Sequence, residues 1–98
     1  MITVSHDFVC PMGEIEKGMA VVKEYKELFD PSTSCRVSMN ASGQIYKFYI
    51  EDDYDSFADY EVKWPERTAT PEFQTWIKKW FEVAIDGSFE ANFRRIIE

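Results

Sequence analysis

Four short segments of this chain alternate apolar and polar residues, and helical stretches separate them. In the first segment, residues 2–9, the even positions are mostly apolar and most of the odd positions are polar. Successive side chains of a strand point to opposite faces, so this alternation predicts a sheet with one apolar and one polar face. The same pattern predicts strands over residues 35–40, 44–51 and 88–97.

Helical periodicity appears between these strands. Apolar residues spaced three or four apart predict a helix from Glu14 to Phe29. Asp55-Ser56 offers N-caps for a short helix through Trp64, which Pro65 ends or kinks. Thr70-Pro71 begins another helix, and Asp86-Gly87 terminates it.

The order strand, helix, strand, strand, helix, strand predicts an α+β fold of the ferredoxin-like βαββαβ type, with a four-stranded antiparallel sheet and the helices on one face. The 98 residues predict a single domain over 1–98. The helices are expected to cover Val37, Met39, Phe48, Phe89 and Phe93. The other face, called here the polar sheet face, is expected to carry Thr3, Ser5, Asp7, Arg36, Ser38, Lys47, Tyr49, Asn92 and Arg94.

Charge and composition narrow the classes of partner. The formal net charge of −7 disfavours nucleic acid and anionic membranes, because an acidic surface repels phosphate. No apolar run approaches the ~20 residues of a membrane span, and the N-terminus lacks a signal-peptide pattern. With only Cys10 and Cys35, the chain is expected to be cytoplasmic with reduced thiols.

Three motifs resemble those of NIPSNAP-like domains. The turn Cys10-Pro11-Met12-Gly13 is similar to their Pro-Gly turn, and Gly43-Gln44-Ile45-Tyr46 leading into Tyr54-Asp55-Ser56-Phe57 is similar to their hairpin and helix start. Thr70-Pro71-Glu72-Phe73-Gln74 resembles their Asp-Pro-Glu-Phe helix entry, with Thr70 in place of Asp.

This resemblance implies the dimeric α+β barrel superfamily. In that superfamily two protomers form a homodimer whose sheets face each other and enclose a cavity between their non-helical faces. Its members include cofactor-free monooxygenases, haem-degrading enzymes and small binding proteins. No combination of residues here matches the catalytic set of any of these groups, so the resemblance names no reaction.

His6 is the only histidine and the single catalytic candidate. It is suited to removing a substrate proton or to acting as an axial haem ligand. The alternative, which we favour, is a partly buried histidine in phase with Val4 and Phe8 that is hydrogen-bonded to a neighbour.

The polar sheet face offers a set of candidate ligand-binding residues. If a dimer closes over that face, its charged groups are suited to orienting an anionic or carbonyl-bearing ligand. The alternatives are mutual ion pairs or a solvated outer face. Trp64, at an irregular junction, is a further pocket candidate, whereas Trp76 or Trp80 is expected in the core. The candidate ligand-binding residues are Asp7, Arg36, Lys47, Tyr49, Trp64, Asn92 and Arg94.

No metal and no cofactor are expected. The run Glu51-Asp52-Asp53-Tyr54-Asp55 lacks the EF-hand spacing, so we expect a solvated loop followed by a helix cap. A glycine-rich phosphate loop and zinc-ligand spacing are both missing from the sequence.

Two functions remain open from the sequence. The first is a homodimer that binds a small molecule in or near the cavity between the sheets. The second is a cofactor-independent monooxygenase or isomerase acting on a small aromatic or carbonyl compound. In the second, His6 is the base and Arg36 or Arg94 stabilises a developing oxyanion. The sequence leaves open whether the protein is an enzyme.

Overall fold

A computed structural model describes residues 1–29, 35–44 and 46–97. The described residues form four strands and three helices. In chain order these are β1 (Ile2–Val9), α1 (Ile15–Phe29), β2 (Cys35–Met39), β3 (Lys47–Tyr54), α2 (Phe57–Thr68), α3 (Pro71–Val83) and β4 (Glu90–Arg95). The sheet order is β2-β3-β1-β4, and each neighbouring pair is antiparallel. The ferredoxin-like α+β architecture is therefore confirmed.

The register of the sheet assigns its two faces. Phe8 of β1 lies opposite Phe48 of β3, and His6 lies opposite Ile50. These residues pack toward the helices, where the core also includes Val21, Val22 and Tyr25 of α1 and Phe73 and Trp76 of α3. Alternate residues along each strand consequently form the polar sheet face.

Helix α1 approaches the sheet closely at Gly18. A Cβ atom built on Gly18 would lie 2.6 Å from Cε2 of the buried Phe48 ring, so only glycine fits this contact without a shift. Helix α3 is joined to α1 by a hydrogen bond of 2.8 Å from Trp76 Nε1 to the carbonyl oxygen of Val21. The two long helices therefore cover one side of the sheet as a connected layer.

The predicted starts of α2 and α3 are confirmed. The Ser56 hydroxyl accepts a hydrogen bond from the Asp59 amide at 3.1 Å, and the Thr70 hydroxyl accepts one from the Phe73 amide at 3.2 Å. The sequence predicted that Pro65 would end or kink the first of these helices. Helix α2 continues past Pro65 to Thr68, so Pro65 does not end it, and a kink at Pro65 stays a prediction.

Strand β3 differs most from its prediction. The sequence predicted a strand over residues 44–51, whereas the strand runs from Lys47 to Tyr54, and Ile45 lies outside the described residues. Pairing with β1 extends the strand, because Ile2 lies opposite Tyr54. The expectation of a solvated acidic loop was therefore wrong for residues 51–54, which belong to the strand, and Asp52 is 0% exposed on its helix side. Strand β4 is shorter than predicted, at Glu90–Arg95.

Candidate functional site

A cavity of about 370 Å³ lies between the sheet and the helices. We call it the helix-side cavity, because residues of β1 and β3 meet residues of α2 and α3 around it. Phe81 and Phe89, which also line it, are 66% and 50% exposed, so the cavity opens near them. The side chains that line the rest of the cavity include His6, Tyr25, Ile50, Trp64, Trp76 and Trp80.

His6 lies in this cavity with its imidazole stacked on aromatic rings. Its ring centroid is 4.4 Å from that of Trp64, with 25° between the planes, and 5.8 Å from that of Phe89, with 15° between the planes. As predicted, His6 shares the phase of Val4 and Phe8. His6 therefore lies beneath helix α2 and also lines the cavity.

The imidazole of His6 is buried with one nitrogen unpaired. Within the part of the chain that the structure describes, Nδ1 has no hydrogen-bond partner. Burial lowers the pKa of His6 below its usual value of 6.5, and the nearby carboxylates of Asp52 and Asp7 offset this effect only in part. The guanidinium of Arg67 lowers it further. His6 is therefore neutral at pH 7 and is able to accept a proton.

The buried His6 makes stability depend on pH in a defined direction. Between the folded-state pKa and 6.5, the unfolded chain binds a proton on His6 that the folded chain does not. We therefore expect the free energy of unfolding to fall as the pH is lowered from 7 to 5, with a slope from this residue of at most about 1.4 kcal/mol per pH unit. Urea unfolding across this range measures the slope.

His6→Phe provides the control, because phenylalanine keeps an aromatic ring and does not titrate. Its unfolding free energy should change less between pH 7 and pH 5 than that of the wild type. The hydrogen bond to Arg36 lowers the pKa of Asp53, so Asp53 titrates below pH 5 and does not contribute to the slope between pH 7 and pH 5. Equal slopes for the two proteins would contradict a lowered pKa of His6 in the folded protein.

The tryptophans divide between the core and the cavity. Trp76 is 4% exposed and belongs to the hydrophobic core, as predicted for at least one of Trp76 and Trp80. Trp64 lies on α2, stacks on His6 and meets the Phe73 ring edge-on at 5.7 Å. The structure thus places this predicted pocket residue in the helix-side cavity rather than on the polar sheet face.

A buried ion pair that the sequence analysis missed lies beside this cavity. Arg67 Nη1 is 3.2 Å from Asp52 Oδ2, and the two side chains are 8% and 0% exposed. The Tyr25 hydroxyl accepts a hydrogen bond from Arg67 at 2.7 Å and donates one to Asp52 at 3.3 Å. Burial raises the pKa of Tyr25, so this hydroxyl stays protonated. Asp52 follows Phe48 and Ile50 at every second position of β3, and this alternation could have identified it as a buried residue.

The other predicted ligand-binding residues lie on the polar sheet face, where their charges are already paired within the protomer. Arg36 binds Asp53 through two hydrogen bonds of 2.9 and 3.1 Å. Further pairs on this face are Lys47 with Glu90 at 3.4 Å, Arg94 with Glu51, and Asn92 with Asp7 at 3.0 Å. Tyr49 lies beneath the Lys47 ammonium at 5.6 Å. Their role in binding a ligand stays a prediction.

The sheet separates these residues from His6. Arg36 lies opposite Glu51 and Arg94 lies opposite Thr3, so both share the polar sheet face. His6 faces the helices. Within one protomer the structure therefore does not bring Arg36 or Arg94 to the imidazole, contrary to the arrangement expected for an enzyme.

Among the described residues, no group of three or more His, Cys, Asp or Glu side chains is placed to hold a metal ion. No helix in the described ranges is long and apolar enough to cross a membrane. Cys10 and Cys35 are both buried, and neither forms a disulfide.

The fold and the helix-side cavity define an α+β protein of the ferredoxin-like class. Among solved structures, the chain is similar to a NIPSNAP domain protein from Burkholderia xenovorans, with a TM-score of 0.84, 13% identity, and coverage of 99% of this chain and 95% of that one. A NIPSNAP family protein from Agrobacterium tumefaciens gives a TM-score of 0.81 at 12% identity, covering 99% and 93%. The resemblance expected from the sequence motifs is thus confirmed at the level of the fold.

Other similar solved structures are named putative antibiotic biosynthesis monooxygenases. A putative antibiotic biosynthesis monooxygenase from Deinococcus radiodurans gives a TM-score of 0.70 at 13% identity, covering 100% of this chain and 94% of that one. No protein-family model matches the chain, and no curated protein matches it. These likenesses establish the fold and leave the ligand to be argued from the cavity.

Proposed function

We propose that this protein binds a small, neutral, aromatic molecule in the helix-side cavity. The observation that carries the proposal is a cavity of about 370 Å³ whose lining, among the described residues, is aromatic or aliphatic except for His6. Its volume falls in the range of roughly 300–1,000 Å³ typical of small-molecule pockets. Flat rings suit this site, because Trp64 and Phe89 already stack on a flat imidazole there.

The electrostatics of the cavity favour a neutral ligand. His6 is uncharged at pH 7, since burial lowers its pKa. The nearby charges of Asp52 and Arg67 are paired with each other. An anionic ligand would therefore lose its hydration without gaining a counter-charge, which makes its binding unfavourable.

A pair of fluorescent probes tests the proposal. N-phenyl-1-naphthylamine is neutral, and 8-anilinonaphthalene-1-sulfonate has nearly the same rings with an added anion. We expect the neutral probe to bind the folded protein at one site, with at least about tenfold higher affinity than the sulfonate. Fluorescence titration at pH 7 measures both affinities. Equal affinities, or no saturable binding of the neutral probe, would contradict the proposal.

The enzymatic alternative is favoured by one observation, the neutral His6 with an unpaired Nδ1 in an aromatic cavity. In this alternative, His6 removes a proton from a small aromatic or carbonyl compound that then reacts with oxygen or isomerises. The expected result is oxygen uptake or isomerisation with members of a naphthol panel, lost in His6→Phe. Turnover that survives this substitution would rule out His6 as the base.

We also propose a homodimer that forms through the polar sheet face. The central residues of that face are already buried in the protomer, with Ser5 0% and Asp7 3% exposed. Its charges are paired within the protomer, so few unpaired charges would be buried when two such faces come together. Light scattering at micromolar concentration should give twice the protomer mass of 11.5 kDa. The mass of one protomer would contradict the dimer. A chamber between the sheets and a cytoplasmic location stay predictions.

A further inference from the structure

Helix α2 contributes Trp64 to the cavity, although the helix packs only loosely against the rest of the protein. All residues of α2 are described, and none of them is fully buried. Pro65 lies inside the helix directly after Trp64 and has no amide hydrogen to donate to the preceding turn. The position of Trp64 therefore depends on the side chains that attach α2 to the rest of the protein.

Arg67 provides one of these attachments. Its side chain is 8% exposed and lies beside the fully buried carboxylate of Asp52 on β3. Its guanidinium carbon is also 4.9 Å from the Phe29 ring centroid and 5.8 Å from that of Tyr25, both on α1. One side chain thus ties the end of α2 to β3 and to α1 at the same time.

This attachment reaches the cavity by two routes. Trp64 and Arg67 are three residues apart on α2, so they project from the same face of the helix. Fixing Arg67 against the sheet therefore fixes the ring that stacks on His6. Tyr25, whose hydroxyl is bonded to both Arg67 and Asp52, itself lines the cavity.

We propose that Arg67, held by Asp52, is a positioning residue that places Trp64 on His6 and so sets the shape of the helix-side cavity. Arg67 does not line the cavity among the described residues, and it acts on a ligand only through Trp64 and Tyr25. The inference rests on the proposed binding function. Arginine suits this role because its planar fork binds a carboxylate and a hydroxyl while stacking on aromatic rings, which lysine does not reproduce.

A double-mutant cycle tests this role with Arg67→Lys and Trp64→Leu. Arg67→Lys keeps the charge opposite Asp52, so the protein should remain folded. We expect it to weaken binding of N-phenyl-1-naphthylamine about tenfold in the wild-type background and about threefold or less in the Trp64→Leu background, where only the contact through Tyr25 remains. If the same factor is lost in both backgrounds, Arg67 does not act through Trp64 and the inference is overturned.

The NMR signals of the His6 ring protons give a readout that does not need a ligand. Trp64 stacks on this ring at 4.4 Å, so its ring current shifts these signals. Arg67→Lys should move them toward their positions in Trp64→Leu, and unchanged signals would contradict the inference. Failure of the wild type to bind the neutral probe would instead overturn the proposed function, while this measurement would still decide the role of Arg67.

Discussion

Replacing Asp52 with alanine is expected to lower the free energy of unfolding by about 3–5 kcal/mol, because it removes the fully buried carboxylate that pairs with the Arg67 guanidinium. The Arg67 side chain is only 8% exposed, so little water reaches its charge. The Tyr25 hydroxyl loses an acceptor as well. Urea unfolding at pH 7 measures the loss. Asp52→Asn, which keeps an oxygen acceptor, should lose less.

The neighbouring residue gives a matched control for this prediction. Asp53 follows Asp52 in the same strand but faces the other side of the sheet, where it pairs with an Arg36 side chain that is 51% exposed. Because that pair is near water, Asp53→Ala should cost only about 0–1 kcal/mol. If the two alanine variants were equally stable, Asp52 and Arg67 would not form a buried pair.

Replacing Trp64 with leucine is expected to weaken binding of N-phenyl-1-naphthylamine about tenfold to hundredfold. The variant removes a large ring that lines the cavity, and losing such a contact typically costs about 1.5–3 kcal/mol. Fluorescence titration measures the change, and far-UV circular dichroism verifies the fold.

Phe57→Leu is the control for Trp64→Leu. Phe57 is an aromatic residue on the same helix, is 49% exposed and packs against Phe93 instead of lining the cavity. Its substitution should leave the probe affinity within about twofold of the wild type. Equal losses in the two variants would indicate a general effect on α2 rather than a contact between Trp64 and the ligand.

The sequence was sufficient to predict the fold because strands and helices impose different periods on the chain. Alternation over residues 2–9 placed Val4 and Phe8 on the helix side, and the pairing of Phe8 with Phe48 confirms it. Capping residues fixed the starts of α2 and α3, since a side-chain oxygen must accept the free amides there. These are local effects that neighbouring residues determine.

Local alternation could have placed Asp52 on the inward side of β3, but it could not predict the cavity or the partner of Asp52. Asp52 resembled a solvated acid because it stands in an acidic run, and its burial depends on Arg67, which is 15 residues further along the chain. The stacking of His6 on Trp64 likewise joins β1 to α2 between residues that are far apart in the sequence. Contacts of this kind follow from the packing of the helices on the sheet, which periodicity does not specify.

The position of a bound neutral probe tests the central claim most directly. Intermolecular nuclear Overhauser effects between N-phenyl-1-naphthylamine and the protein report which side chains contact it. The helix-side cavity predicts contacts with the ring protons of His6, Trp64 and Trp80. Contacts with Tyr49 and Lys47 instead would place the ligand at the polar sheet face and contradict a binding site beneath the helices.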